Sequence, residues 1–179
     1  HYPLRRQRQM CISDRVLTSG GTEADNLAVQ GLFRARRAAD PQRLRIVLTG
    51  AEHHAVLDAV DWLAAHEGAE PVIVPVDADG VVDLAAWEAA LAAAPERTAL
   101  AALMWANNEI GTVQPVAEAA RIAAAHGVPL HTDAVQAVGA VPVDFAASGA
   151  ATLAVSGHKA GAPVGVGALL VRRDVALTP

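Results

Sequence analysis

Cysteine is nearly missing from this sequence: of 179 residues only Cys11 carries a thiol. A lone thiol excludes an intramolecular disulfide framework and fits a reducing compartment such as the cytoplasm. Aromatic residues are also scarce, at 3%. The 53% apolar content is therefore carried largely by small and aliphatic side chains, which suit close packing of helices on a sheet. Charged residues reach only 18%, with a formal net charge of −5. No long basic run interrupts the body of the chain, so a nucleic-acid partner is not expected. Long hydrophobic runs are lacking too, which argues against a membrane span, and the start shows no signal-peptide pattern. What remains is a composition too apolar for disorder and a length sufficient for one domain with a sizeable core.

The first fourteen residues differ from the rest. Arg5, Arg6 and Arg8, with Arg15 just beyond, crowd a polar stretch without an apolar period. It reads either as a frayed, solvated terminus or as a non-native leader resembling translated adapter sequence. The expected division is a leader over 1–14 and a single domain over 15–179. Cys11 falls in the leader and is given no catalytic role.

From Val16 onward strand-like and helix-like patterns alternate, the mark of a mainly parallel α/β sheet. Strands are expected at Arg45–Thr49, Pro71–Val76, Thr98–Trp105, Pro129–Asp133, Ala151–Val155 and Gly167–Val171. Helical periods fill Ala55–Glu67, Leu84–Ala94 and Pro115–His126, and a further helix follows Gly21 as far as about Arg37. Asp83 is placed to cap the Leu84 helix, and Gly127 to stop the one before it. Asp77-Ala-Asp-Gly80 reads as a turn.

Chemistry-bearing residues gather where strands end. Lys159 follows the strand closed by Ser156-Gly157, and Asp133 ends another strand 26 residues earlier. Both therefore reach the edge at which open α/β sheets bind ligands. A lysine amine can form a Schiff base, and pyridoxal phosphate (PLP) sites pair that lysine with an acid at the ring nitrogen. A buried carboxylate such as Asp133 needs a partner. That partner is either such a nitrogen or a neighbouring amide or arginine.

Ser19-Gly-Gly-Thr-Glu-Ala-Asp25 has two readings. It is a phosphate cradle, with close backbone approach at the glycines and helix amides beside Thr22, or it is a capping box pairing Thr22 with Asp25. His53, in Glu52-His53-His54, either stacks on a planar ring or simply caps a helix. No Cys or His falls at zinc-ligand spacing from it. Asn107-Asn108 suits a tight turn or hydrogen bonds to a carboxylate or phenolic oxygen. Gln136 reaches the same ligand as Asp133 if the chain turns helically there.

Together, Thr18–Ala28, Glu52–Asp58, Asn107-Asn-Glu-Ile-Gly111, Asp133-Ala-Val-Gln136 and Ser156-Gly-His-Lys159 resemble the cysteine desulfurases, class V enzymes of the fold-type-I PLP group. The resemblance runs from about Val16 to Arg173. Asn107–Gly111 is its most specific part, while Ser156–Lys159 is shared more widely across class V. It implies a three-layer α/β/α fold with a mainly parallel sheet, the large domain of an aspartate-aminotransferase-like PLP enzyme. By resemblance, Lys159 holds PLP and moves the substrate proton, and Asp133 keeps the pyridine nitrogen protonated. His53 stacks on the ring and serves acid–base steps, and Gln136 binds the phenolic oxygen. Asn108 contacts the cofactor or the substrate carboxylate, while Gly21, Thr22, Ser156 and His158 hold the phosphate.

The implied reaction converts L-cysteine to L-alanine and passes the sulfur to an enzyme cysteine. A homodimer and a sulfur-accepting partner, such as an iron–sulfur scaffold protein, go with it. Family members carry that cysteine and a substrate-carboxylate arginine in a smaller carboxyl-terminal domain, beyond the span matched here. The chain is therefore expected to be an incomplete part of such an enzyme, with doubtful activity alone. Alternatives are another class V enzyme, such as a selenocysteine lyase or aminotransferase, or a non-catalytic module keeping the fold. Gly21, where the family often has Ala, and the loop Ala160–Gly165 depart from the pattern.

Overall fold

The computed structural model describes residues 13–178; Cys11, with the rest of 1–12, lies outside them. Seven strands form one sheet in the order β1-β7-β6-β5-β4-β2-β3. They are β1 (Ser13–Thr18), β2 (Arg45–Thr49), β3 (Glu70–Val74), β4 (Thr98–Ala102), β5 (Leu130–Asp133), β6 (Thr152–Ser156) and β7 (Gly167–Arg172). β2 to β6 pair in parallel, while β7 runs antiparallel to both β6 and β1. Ser13 and Asp14, read as leader from sequence, pair in β1 with Arg172 and Val171.

Two helices cover one face: α1 (Gly21–Ala39) and α2 (His54–Glu67). Their apolar stripes, Val29, Leu32 and Phe33 with Val56, Val60 and Leu63, meet Ile46, Leu48 and Ala102 of the sheet. The other face is covered by α3 (Leu84–Ala92) and α4 (Val116–Ala125). There Trp87, Leu91, Ala119 and Ala123 pack on Val47, Ala101 and Leu130. Alternate residues of each central strand thus feed opposite cores, which is why these strands read as unbroken apolar runs. The architecture is the three-layer α/β/α expected.

Local chemistry sets the boundaries. Asp83 accepts from Ala85 and Ala86 amides at the head of α3, and Gly127 takes a left-handed φ of 67° just after α4. Asp77 closes its turn by accepting from the Asp79 and Val81 amides. Several expected bounds shift by a residue or more; β3, for one, ends at Val74 and not at Val76. Pro115 is the N-cap of α4 and not its first residue. α3 stops at Ala92. β4 ends at Ala102, yet the Leu103 and Trp105 amides still donate to the His131 and Asp133 carbonyls, so the buried run keeps its partner strand. A short helix missed in the sequence, α5 (Phe145–Ser148), is capped by Asp144.

Candidate active site

Five strand-to-helix junctions open on one edge of the sheet, and a cavity of about 300 Å³ lies among them. It is lined by Gly21 and Thr22 after β1, His53 after β2, Asn108 after β4, Asp133 and Gln136 after β5, and Ser156, His158 and Lys159 after β6. All nine side chains or backbones singled out in the sequence therefore border the same space. Asp25, Met104 and Val135 complete the lining and were not foreseen.

The head of α1 removes one of the two readings of its loop, the capping box. The first helical amide to find a backbone partner is that of Ala24, on the Gly20 carbonyl; those before it are the orphan donors of a helix start. Thr22 does not cap the helix, whose N-cap is Gly20 without a side-chain bond. The expected box with Asp25 is absent. Instead Glu23 accepts from the amide and hydroxyl of Ser19, both at 2.6 Å, which hold its carboxyl below the usual range. Space is tight here. A methyl on Gly21 would come within 2.5 Å of Val135 Cγ2, and one on Gly167 within 2.7 Å of the Gly20 backbone, so both glycines let the loop seat against β5 and β7.

Asp25 instead points inward. It shares the apolar stripe of α1 with Ala28, Val29 and Leu32, all buried, and that i, i+3, i+4, i+7 placement was the available signal. Its Oδ1 lies 3.2 Å from Nε2 of His131, whose Nδ1 lies 2.9 Å from Thr152 Oγ1. Both members of the pair are 0–1% exposed at the side chain.

Asp133 is two residues from His131 on β5, hence on the same face. It accepts from the Val135 amide at 2.8 Å, so the backbone amide is one partner. Its carboxyl is nonetheless pushed up to about 7, by burial first and by the Asp25 charge second. The floor of the cavity thus holds two buried carboxyls, with His131 as the basic group beside them. Gln136 sits in a turn in which the Val138 amide bonds to the Ala134 carbonyl.

His53 both caps and lines. Its Nδ1 accepts from the Ala55 amide at 3.1 Å, which leaves the ring proton on Nε2 in the neutral form. His54 points away, exposed, 3.6 Å from Asp58. The Asn pair divides its labour: Asn107 makes the turn, accepting from the Glu109 and Ile110 amides and donating to the Ala51 carbonyl, while Asn108 borders the cavity. Ser156 Oγ and His158 Nδ1 lie 2.8 Å apart. Lys159, on a single 3₁₀ turn over Gly157–Ala160, is exposed and makes no ion pair among the described residues. Among those residues no helix is long and apolar enough to cross a membrane, and no cluster of His, Cys, Asp or Glu could hold a metal.

Residues 13–178 match the family described as aminotransferase class-V. An IscS-like cysteine desulfurase of Mycobacterium tuberculosis is 54% identical over 167 residues, 93% of this chain and 42% of that protein. A solved NifS-like protein superposes with a TM-score of 0.85 at 33% identity, over 92% of this chain and 44% of the other. SspA, solved in complex with cysteine, gives a TM-score of 0.83 at 32% identity, over 92% and 46%. The chain thus spans less than half the length of each of these relatives.

Proposed function

Because the chain belongs to the class V aminotransferase family, we propose that the domain expected over 15–179, which β1 extends back to Ser13, is a PLP-binding large domain and that the protein works as a cysteine desulfurase. The observation that carries this reading is the convergence of Lys159, Asp133, His53 and the α1 head on one cavity.

The residues present fit PLP. Two buried carboxyls crowd the cavity floor, and Asp133 is held near 7 because its charge is poorly matched there. A protonated ring nitrogen is a cation of the right kind to match it. Across the cavity, the free amides of α1 with Thr22, Ser156 and His158 suit a phosphate group, since helix amino termini favour anions. His53 offers a flat ring with a proton on Nε2. Gln136 and Asn108 offer amides for a phenolic oxygen and a carboxylate.

Bound PLP supplies a carbonyl that condenses with amines and a ring that draws electrons from the substrate Cα. Lys159 would hold the cofactor covalently and then carry the proton at Cα. Asp133 would keep the ring nitrogen protonated. His53 would offer its ring to the cofactor and give or take a proton through Nε2. Support for cysteine as substrate comes from the desulfurase relatives and from the relative solved with cysteine. The sulfur would then pass to the thiolate of an enzyme cysteine, an S–S bond forming as the substrate Cβ–S bond breaks. The electron pair of that bond, with a proton, would stay on carbon to give alanine. From the enzyme cysteine the sulfur would go on to an acceptor such as an iron–sulfur scaffold protein, in a cytoplasmic homodimer.

The reading is tested by adding amino acids to PLP-loaded protein before borohydride reduction. L-Cysteine is expected to displace Lys159, so that the reduced cofactor leaves with the amino acid, while L-aspartate leaves it on the lysine. Equal displacement by both, or by L-aspartate alone, would move the protein to another class V activity.

A further inference from the structure

We propose that Glu52 is a positioning residue whose carboxyl locks the turn bearing His53 to the segment bearing Met104 and Asn108, and so fixes one wall of the cavity. Glu52 is 6% exposed. Its Oε1 accepts from Thr49 Oγ1 at 2.9 Å and from the Met104 amide at 3.0 Å. A second tie runs beside it, from Asn107 Nδ2 to the Ala51 carbonyl at 2.9 Å. Two segments about fifty residues apart are thereby joined immediately beneath the residues they send into the cavity.

The other carboxyl oxygen, Oε2, is buried without a partner among the described residues. An unpartnered buried oxygen is costly when charged and far less so as a hydroxyl. The charged groups facing Glu52 are Asp133 of β5 and Asp25 of α1, the latter paired with His131. Both oppose a third negative charge. Burial first, then these two neighbours, raise the Glu52 carboxyl to about 8 against the pull of the Met104 amide and the Thr49 hydroxyl. A neutral acid keeps both accepted bonds on Oε1 while adding no charge beside Asp133. Gln reproduces that pattern, while Ala removes it and Asp is one methylene short.

The proposal deepens the PLP reading, but its first test does not depend on it. In cofactor-free protein, amide exchange at Met104 is expected to stay slow in Glu52→Gln and to quicken about ten- to a hundredfold in Glu52→Ala, the loss of one buried bond. Glu52→Asp should behave like the Ala variant, and it decides the matter if the Ala variant does not fold. Thermal stability gives a second readout. A carboxyl raised from 4.5 to about 8 loses its stabilising contribution as pH climbs through that window. The wild type should therefore lose more stability between pH 5 and 8 than Glu52→Gln does. PLP titration should show affinity kept in the Gln variant and weakened roughly tenfold in the Ala variant. Unchanged Met104 exchange in the Ala and Asp variants, or a Gln variant that exchanges as fast as they do, would overturn the clamp. If wild type takes up no PLP while exchange follows the expected order, the cofactor reading falls and the clamp stands.

Discussion

Asp133→Asn is expected to weaken PLP binding by about thirtyfold to a few thousandfold, the range for removing one member of a buried charge pair at roughly 2–5 kcal/mol. The same change should make the cofactor-free protein more stable above pH 7. Asn keeps the acceptor for the Val135 amide but removes a carboxyl that burial and Asp25 push up to about 7. The sign follows from linkage. A folded-state value raised above 3.8 means that stability is lost as pH rises from there through 7, and the amide does not titrate. Tight binding and apo stability thus pull in opposite directions at this residue. PLP titration and thermal melts at pH 8 on the same variant test both halves. A variant that binds PLP as the wild type does, or that melts earlier without cofactor, would remove Asp133 from its assigned place.

The second large effect concerns the pair beneath it. His131→Ala strands the Asp25 carboxyl, 1% exposed, without its ring partner and opens space beside β6. Breaking a buried pair from one side costs about 3–5 kcal/mol, because the remaining group stays buried and unmatched. Replacing Asp25 and His131 together by Leu should recover much of that loss, since a packed apolar pair carries no desolvation penalty. Urea unfolding of the single and double variants measures the difference. A single variant within about 0.5 kcal/mol of wild type, the range of a neutral surface change, would mean that the pair does not matter to the fold.

Local pattern was enough to find most of this architecture, for identifiable reasons. The central strands are short apolar runs bounded by Gly, Pro or charged residues, and buried on both faces. The site residues stand where those runs stop, so placing the strand ends also placed Lys159, Asp133 and His53. What failed to show depends on distant partners. Thr22 and Asp25 carry capping-box spacing, but Asp25 is claimed by His131, 106 residues away. Glu52 reads as part of a histidine-rich turn, and its tie to Met104 spans 52 residues. The reversal of β7 against β6 leaves no local trace either, because an antiparallel strand with alternating burial can carry the same composition as its parallel neighbours.

The central claim is that Lys159 is the anchor of a PLP site formed by these residues. The most direct test adds PLP to the purified chain, reduces with borohydride and maps the modified peptide by mass spectrometry. A single adduct on Lys159, absent from Lys159→Ala while circular dichroism shows that variant folded, is the expected result. Because Lys159 is the sole lysine of the sequence, the contradicting results are an adduct on the amino-terminal peptide in its place, or none from a folded wild-type chain.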